Sequence, residues 1–410
     1  MQSIGIVGGG IVGLCCAVAL LDGGASVTVF EPDIDRTAAS WGNAGHIAVE
    51  QVEPLASAAA LRSAPGRLFS RGGALALPPA MTRVWLPFAA RLAAASTPAR
   101  FGAGTVALGP LMAAAMPAWQ QLVEQLGASA LLRRDGHLVA WESADTAIHG
   151  RRRWGETAIG TARFADVDAS TLRWLEQLAP GIAGAIRFSG SGQIADLGQM
   201  ADALDAAVIA RGGRIVRERA QLAEHAGRVG IAGHACDEVL VAAGVRSAAL
   251  MQSLGVAVPM IAERGYHIRA AAERWPADLP PVVFEDRSMI VTRYANCVQA
   301  ASFVELGDPD APADARKWER LERHVRELGL PIDGPFRRWM GARPTLPDYL
   351  PAIGRSTAFA NLFYAFGHQH LGLTLAPITA QIVASLVAGA APPVPIDAFT
   401  LQRFNKGRRA

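Results

Sequence analysis

Residues 3–31 read SIGIVGGGIVGLCCAVALLDGGASVTVFE. Ser3–Val7 is a short apolar run. Gly8, Gly10 and Gly13 follow in a G-x-G-x-x-G spacing, with Ile11 and Val12 between the last two. Leu14, Val18 and Leu21 recur at helical spacing, and Ser26–Phe30 is a second apolar run closed by Glu31. Strand, glycine turn, helix, strand and acid, in that order, make a unit that binds an adenine dinucleotide. Gly8 allows the tight turn, Gly10 lets backbone approach a pyrophosphate, and Gly13 lets the helix pack on the strand. The helix N-terminus offers unpaired N–H groups and a partial positive charge to the phosphates. Glu31 lies about 20 residues past the glycines, where a carboxylate accepts from ribose hydroxyls. A secretory apolar segment is excluded, because no basic residue precedes the run and the glycines are patterned.

Working outward, 410 residues exceed one compact core and predict two domains. A chain 51% hydrophobic and 18% charged is globular, not disordered. Its net charge of +3 gives no reason to expect a nucleic-acid partner. The basic clusters Arg151–Arg153 and Lys406–Arg409 read as solvated surface. Cys15, Cys16, Cys236 and Cys297 make neither a metal spacing nor a disulfide framework. With no signal-peptide pattern either, a reducing cytoplasm is the expected location. Gly102–Trp119 is apolar but holds Pro110 and Pro117, so it reads as loop plus buried helix rather than a membrane span. Leu75–Leu92 carries Trp85, Phe88 and Leu92 near Arg83 and Arg91, which leaves a peripheral membrane contact open.

Residues 52–130 are alanine-rich and helical in tone, and 145–180 also read as helical. Leu138–Trp141 and Ala185–Phe188 are strand candidates. Between 196 and 245 the pattern returns to α/β. Met200, Leu204 and Val208 share a helix face, Arg214–Val216 and Glu238–Ala242 read as strands, and Ala243–Gly244 makes a small-residue exit. Runs at Ile261–Ile268, Val282–Phe284, Ser288–Arg293 and Cys297–Ala301 predict an antiparallel sheet. Leu362–Ala365, a glycine turn and a final apolar helix restore the α/β order. The dinucleotide-binding half is therefore interrupted by a second domain.

Four further segments carry chemistry. Ser40–Gly45 (SWGNAG) has the small residues and polar edges, Ser40 and Asn43, that suit a loop against a flat ring; on polarity alone an ordinary turn reads the same. Gly341–Gly354 (GARPTLPDYLPAIG) holds Arg343 in a proline-braced loop, where a still guanidinium captures a carboxylate in bidentate fashion. Gly367–Thr374 (GHQHLGLT) runs into a helix N-terminus that stabilises negative charge on a reduced ring. A metal pair at His368 and His370 is disfavoured, since no other residues with metal spacing accompany them. Gly265–His267 (GYH) offers the Tyr266 hydroxyl to a carboxylate, or simply a half-buried strand tyrosine.

In their order these motifs resemble the family of flavin-dependent D-amino-acid oxidases and dehydrogenases, over essentially the whole chain. The bacterial D-amino-acid dehydrogenase branch is matched by S-x-x-N-A-G (Ser40, Asn43, Ala44, Gly45), by G-x-R-P-x-x-P-D (Gly341, Arg343, Pro344, Pro347, Asp348) and by G-H-x-x-x-G (Gly367, His368, Gly372). GHQHLGLT with PDYLP before it is similar to enzymes that oxidise D-hydroxyproline or D-proline. The resemblance implies a Rossmann-like FAD-binding domain from 1–50, 195–250 and 336–410. A substrate-binding domain with a mainly antiparallel sheet would come from 51–194 and 251–335, an α/β fold with an α+β second domain. It implies non-covalent FAD held by Gly8, Gly10, Ile11, Val12, Gly13, Glu31 and Gly244. The flavin ring would lie near Ser40, Asn43, Ala44, Gly45 and the segment Gly367, His368, Gly372, Leu373 and Thr374. Arg343 would grip the substrate carboxylate, with Tyr266 and His368 beside it. The implied partners are a small amino or imino acid and a quinone or other electron acceptor, with no metal. An oxygen-using amine oxidase of glycine or sarcosine type and a non-catalytic flavin-binding module are the alternatives.

Overall fold

A computed structural model describes residues 2–404, so the Lys406–Arg409 cluster lies outside the described residues. Two sheets organise the chain. The first has the strand order Arg214–Val216, Ser26–Phe30, Ser3–Val7, Glu238–Val241, Leu362–Phe366 and Ala352–Arg355. All its pairs are parallel except the last. Helices cover this sheet, so its strands read as continuous apolar runs; all five residues of Leu362–Phe366 are buried. The first helix, Ile11–Asp22, packs between the sheet and the last helix, Gly372–Val387. Its small residues Gly13, Cys15, Cys16 and Ala17 are buried and permit that close approach.

The second sheet has nine strands. Its main path runs Arg337–Thr345, Ile261–Ala271, Cys297–Gly307, Met289–Arg293, Val282–Phe284, His137–Trp141, Gly184–Ser189 and Arg163–Asp166. Along that path only Val282–Phe284 and His137–Trp141 pair in parallel. The amphipathic helix Ala315–Glu327 packs on one face through Leu321 and Val325. A third, small sheet pairs His46–Ile47 and Leu132–Arg133 with Gly192–Ile194 between them.

Three expectations change. The Arg343 segment is not a loop: Arg337–Thr345 is the edge strand of the antiparallel sheet, on the substrate side of the boundary drawn at 336. Pro344 suggested a loop, but an edge strand tolerates a missing N–H. Gly102–Trp119 is not loop plus helix but part of one 28-residue helix, Pro98–Gln125, with both prolines inside. Leu108, Leu111, Met112, Ala115, Trp119 and Leu122 bury one stripe, and that burial outweighs the proline cost of about 3 kcal/mol each. Residues 145–180 are not all helical, because the strand Arg163–Asp166 separates Ala144–Glu156 from Ala169–Leu178. Pro98–Gln125 and Gln369–Val387 are long and apolar enough to cross a membrane by length and composition; the second is mostly buried, on the first helix.

Candidate functional site

The glycine turn is built by steric necessity. Gly8 has φ +113, and a Cβ there would lie 2.5 Å from the Ala242 carbonyl oxygen. A Cβ on Gly13 would lie 1.9 Å from the Gly8 carbonyl oxygen. Gly10 caps the first helix without a side-chain bond, and no acid sits in its first turn. The Ile11 amide donates to Ser40 Oγ at 3.1 Å, and Val12 lies beside it in the first turn. Glu31 ends the second strand, its carboxylate accepting from the Gly9 amide at 2.7 Å and the Asp33 amide at 2.9 Å. Gly244, with φ +54, follows the strand Glu238–Val241. The chain thus brings Gly8, Gly10, Ile11, Val12, Gly13, Glu31, Ser40 and Gly244 to the carboxyl ends of adjacent parallel strands, where open α/β sheets bind ligands.

Asn43, Ala44 and Gly45 lie against the second sheet. The Asn43 carbonyl accepts from Tyr294 Oη at 2.6 Å and Gln299 Nε2 at 3.0 Å, while Asn43 Oδ1 accepts from the Gly45 amide at 2.9 Å. From the other side come Gly367, with φ +77, and the helix beginning at Gly372 and Leu373. Thr374 Oγ1 accepts from the Ala48 amide at 3.0 Å, which joins that helix start to the chain leaving Gly45.

Arg343 faces this junction from the edge strand. Its Nη1 donates to Glu263 Oε1 at 2.6 Å and its Nη2 to the Phe303 carbonyl at 3.0 Å. Those bonds use two of the five guanidinium N–H groups and hold the fork still. Glu263 is fully buried and also accepts from Tyr349 Oη at 3.1 Å. Gly265 is required here, since a Cβ would come within 1.9 Å of Arg343 Nη2. Three of the six non-glycine residues with positive φ among the described residues border this group: Phe303 (φ 72), Tyr349 (φ 55) and Gln369 (φ 47). Gln369 Nε2 donates to the Tyr349 carbonyl at 2.6 Å, so the strained residues are also bonded together. Strain of this kind costs about 1–3 kcal/mol per residue and clusters at functional sites.

Tyr266 is not part of the group. It occupies the opposite face of its strand, against Trp318, with its hydroxyl donating to Glu305 Oε1 at 2.9 Å. Alternation along Ile261–Ala271 places Glu263, Gly265 and His267 toward the site and Arg264 and Tyr266 away from it. Burial drives the Tyr266 phenol above its ordinary value. His368 is buried, with Nε2 at 3.1 Å from Thr379 Oγ1, and burial lowers its pKa to about 3. Its ring is thus joined to the last helix.

Sequence reasoning missed Glu263, which only strand pairing sets beside Arg343, and weighed His370 only as half of a metal pair. His370 Nε2 bonds Gln51 Oε1. Burial lowers its pKa to about 4, within the electrostatic reach of Glu263, Arg343 and Glu50. Also missed was Trp339, stacked on His267 with centroids 4.7 Å apart and set against Gly42. The glycines at 42 and 341 were the available signal, since a Cβ at either would meet the indole.

A dinucleotide cradle at the end of a parallel sheet, with an anchored arginine on an antiparallel one, is the arrangement of a flavin oxidoreductase. The chain belongs to the DAO family of FAD dependent oxidoreductases, whose profile matches residues 3–386. It is 32% identical over 422 residues to a D-amino-acid oxidase of Bradyrhizobium diazoefficiens, covering 98% of this chain and 99% of that protein. The fold is similar to glycine oxidase from Geobacillus kaustophilus, with TM-score 0.74 and 19% identity over 98% of this chain and 99% of that one. It is also similar to L-proline dehydrogenase from P. horikoshii, with TM-score 0.71 and 16% identity over 100% and 99%. FAD is the cofactor of this family. The start of the first helix, with no acid in its first turn, and the glycines that admit no Cβ fit its pyrophosphate.

Proposed function

We propose that this FAD-dependent amino-acid oxidoreductase oxidises a D-imino acid, D-proline or D-hydroxyproline, and passes the electrons to a quinone. The observation that carries the reading is Arg343, held by Glu263 and the Phe303 carbonyl with part of its fork left free. A fixed, partly bonded guanidinium binds the planar carboxylate of an amino acid in one orientation. That orientation sets the α-carbon against the ring, which is where positioning contributes to rate. FAD supplies the hydride acceptor. The protein's part is to bind, orient and exclude water. Glu263 keeps Arg343 from swinging to solvent, and its own charge is spread over Arg343 and Tyr349. Buried His370 stays neutral near pH 7, so it adds no charge that would compete with a neutral substrate amine. His368 and Thr379 anchor the turn before the last helix and need move no proton. Oxidation yields an imine, cyclic from a proline ring.

The ring preference rests on the GHQHLGLT and PDYLP segments, and the structural likeness to an L-proline dehydrogenase is compatible with it. A peripheral contact with the inner face of a cytoplasmic membrane accompanies the quinone reading. Between Glu53 and Glu124 there is no acidic residue, while Arg62, Arg67, Arg71, Arg83, Arg91 and Arg100 are all exposed. Val84, Leu86 and Val106 are exposed in the same stretch. A surface that is basic and apolar together suits anionic lipid. The test is anaerobic bleaching of the bound flavin by D-proline, cis-4-hydroxy-D-proline, D-alanine, glycine and sarcosine, followed by air or a soluble quinone. Bleaching by the D-imino acids and reoxidation by quinone but not air is expected. Rapid reoxidation by air, or bleaching by sarcosine or glycine alone, would replace the reading with an amine oxidase.

A further inference from the structure

His46, Glu50 and His137 come from two distant parts of the chain and converge in a buried cluster. His46 and Glu50 lie just after the Asn43–Gly45 loop, and His137 opens the strand His137–Trp141 of the antiparallel sheet. One ligand atom from each residue lies within 4.8 Å of the other two. His46 Nε2 is 3.0 Å from Glu50 Oε1, and His137 Nε2 is 4.0 Å from the same oxygen. The two imidazoles meet edge to face, with centroids 4.5 Å apart.

The opposite nitrogen of each ring is already engaged. His46 Nδ1 is 3.2 Å from the Gly192 carbonyl, and His137 Nδ1 is 2.8 Å from Ser191 Oγ. A carbonyl only accepts, so His46 Nδ1 carries the proton. This outer bonding fixes ring orientation in protein metal sites and turns the Nε2 lone pair inward. Glu50 Oε2 is buried and has no hydrogen-bond partner. A buried carboxylate with Oε1 beside two imidazole nitrogens and Oε2 unpartnered is a cation-binding donor set.

We propose that His46, Glu50 and His137 bind one divalent cation of the Zn2+ class. Two imidazoles and one carboxylate are ligands that Zn2+ accepts, with a fourth position left for water. Tetrahedral bonds of about 2.0–2.2 Å set donors roughly 3.4 Å apart, so His137 would move toward the other two while the His46–Glu50 pair opens slightly, a side-chain adjustment. The ion would tie the segment leaving the flavin loop to the antiparallel sheet, and so brace one domain against the other.

The experiment uses untagged, FAD-loaded protein, stripped with chelator and equilibrated with Zn2+ or Co2+. Metal per chain is measured after gel filtration, and the Co2+ visible bands are read beside the flavin spectrum. One Zn2+ per chain is expected, with Co2+ bands typical of nitrogen and oxygen ligands and a raised melting temperature. Glu50→Gln and His137→Asn should each weaken binding about tenfold or more. Flavin content and the metal-free melting curve report whether each variant folds. No retained metal in the wild type overturns the proposal. Metal bound equally by both folded variants overturns it too. Because the readout is metal content, it stands or falls separately from the choice of substrate.

Discussion

Arg343→Lys keeps the positive charge and removes the fork. In the wild type Nη1 and Nη2 are committed to Glu263 and Phe303, at 2.6 and 3.0 Å, and the remaining N–H groups are free for a carboxylate. A lysine ammonium that stays on the buried Glu263 can offer the substrate one bond in place of two. A hydrogen bond to a charged group is worth about 1.5–3 kcal/mol. Losing one predicts a fall in kcat/KM of about 10- to 150-fold. The assay is steady-state dye reduction with D-proline and with its carboxamide. The wild type should prefer the acid strongly, and the variant should lose most of that preference, because it loses acid binding and not ring binding. Unchanged kcat/KM for the acid, or an equal loss for acid and amide, would refute the assignment of Arg343 to the carboxylate. Flavin content and melting temperature separate this from misfolding.

Gly13→Ala places a methyl group against the Gly8 carbonyl and should yield protein with little bound FAD, read as the ratio of flavin to protein absorbance. Tyr266→Phe should leave kcat/KM within about twofold yet destabilise the fold by about 1–3 kcal/mol, through loss of the bond to buried Glu305, as measured by urea unfolding. Acid should destabilise the protein early. Burial lowers His137, His267 and His368 from 6.5 to about 3, so between those values the unfolded chain binds more protons and stability falls as pH falls. Each costs about 2 kcal/mol at pH 5. Melting temperature should drop between pH 7 and 5, and His368→Gln should make the drop shallower; an identical slope would remove His368 from the account. Vesicles of anionic lipid should co-sediment the protein more than neutral ones, and Arg83→Glu with Arg91→Glu should abolish the difference.

Residues 3–31 were legible because every requirement of that unit is local. Gly8 and Gly13 have no tolerated substitute at their contacts, and the strands Ser3–Val7 and Ser26–Phe30 stand where the apolar runs put them. The same holds for most strands of the antiparallel sheet, whose residues alternate or run apolar over short spans. Arg343 stood out by its glycine and proline neighbours, although they suggested a loop. What holds it did not stand out, because Glu263 is 80 residues away in sequence and meets it only through strand register. Register also decided Tyr266: one residue's alternation puts its ring in the core and Gly265 under the guanidinium. Long-range pairing is likewise what brings His137 to His46 and Glu50. Local residue chemistry therefore carries the cofactor and the class of reaction, while the company each charged side chain keeps follows from non-local sheet pairing and burial, which no local pattern encodes.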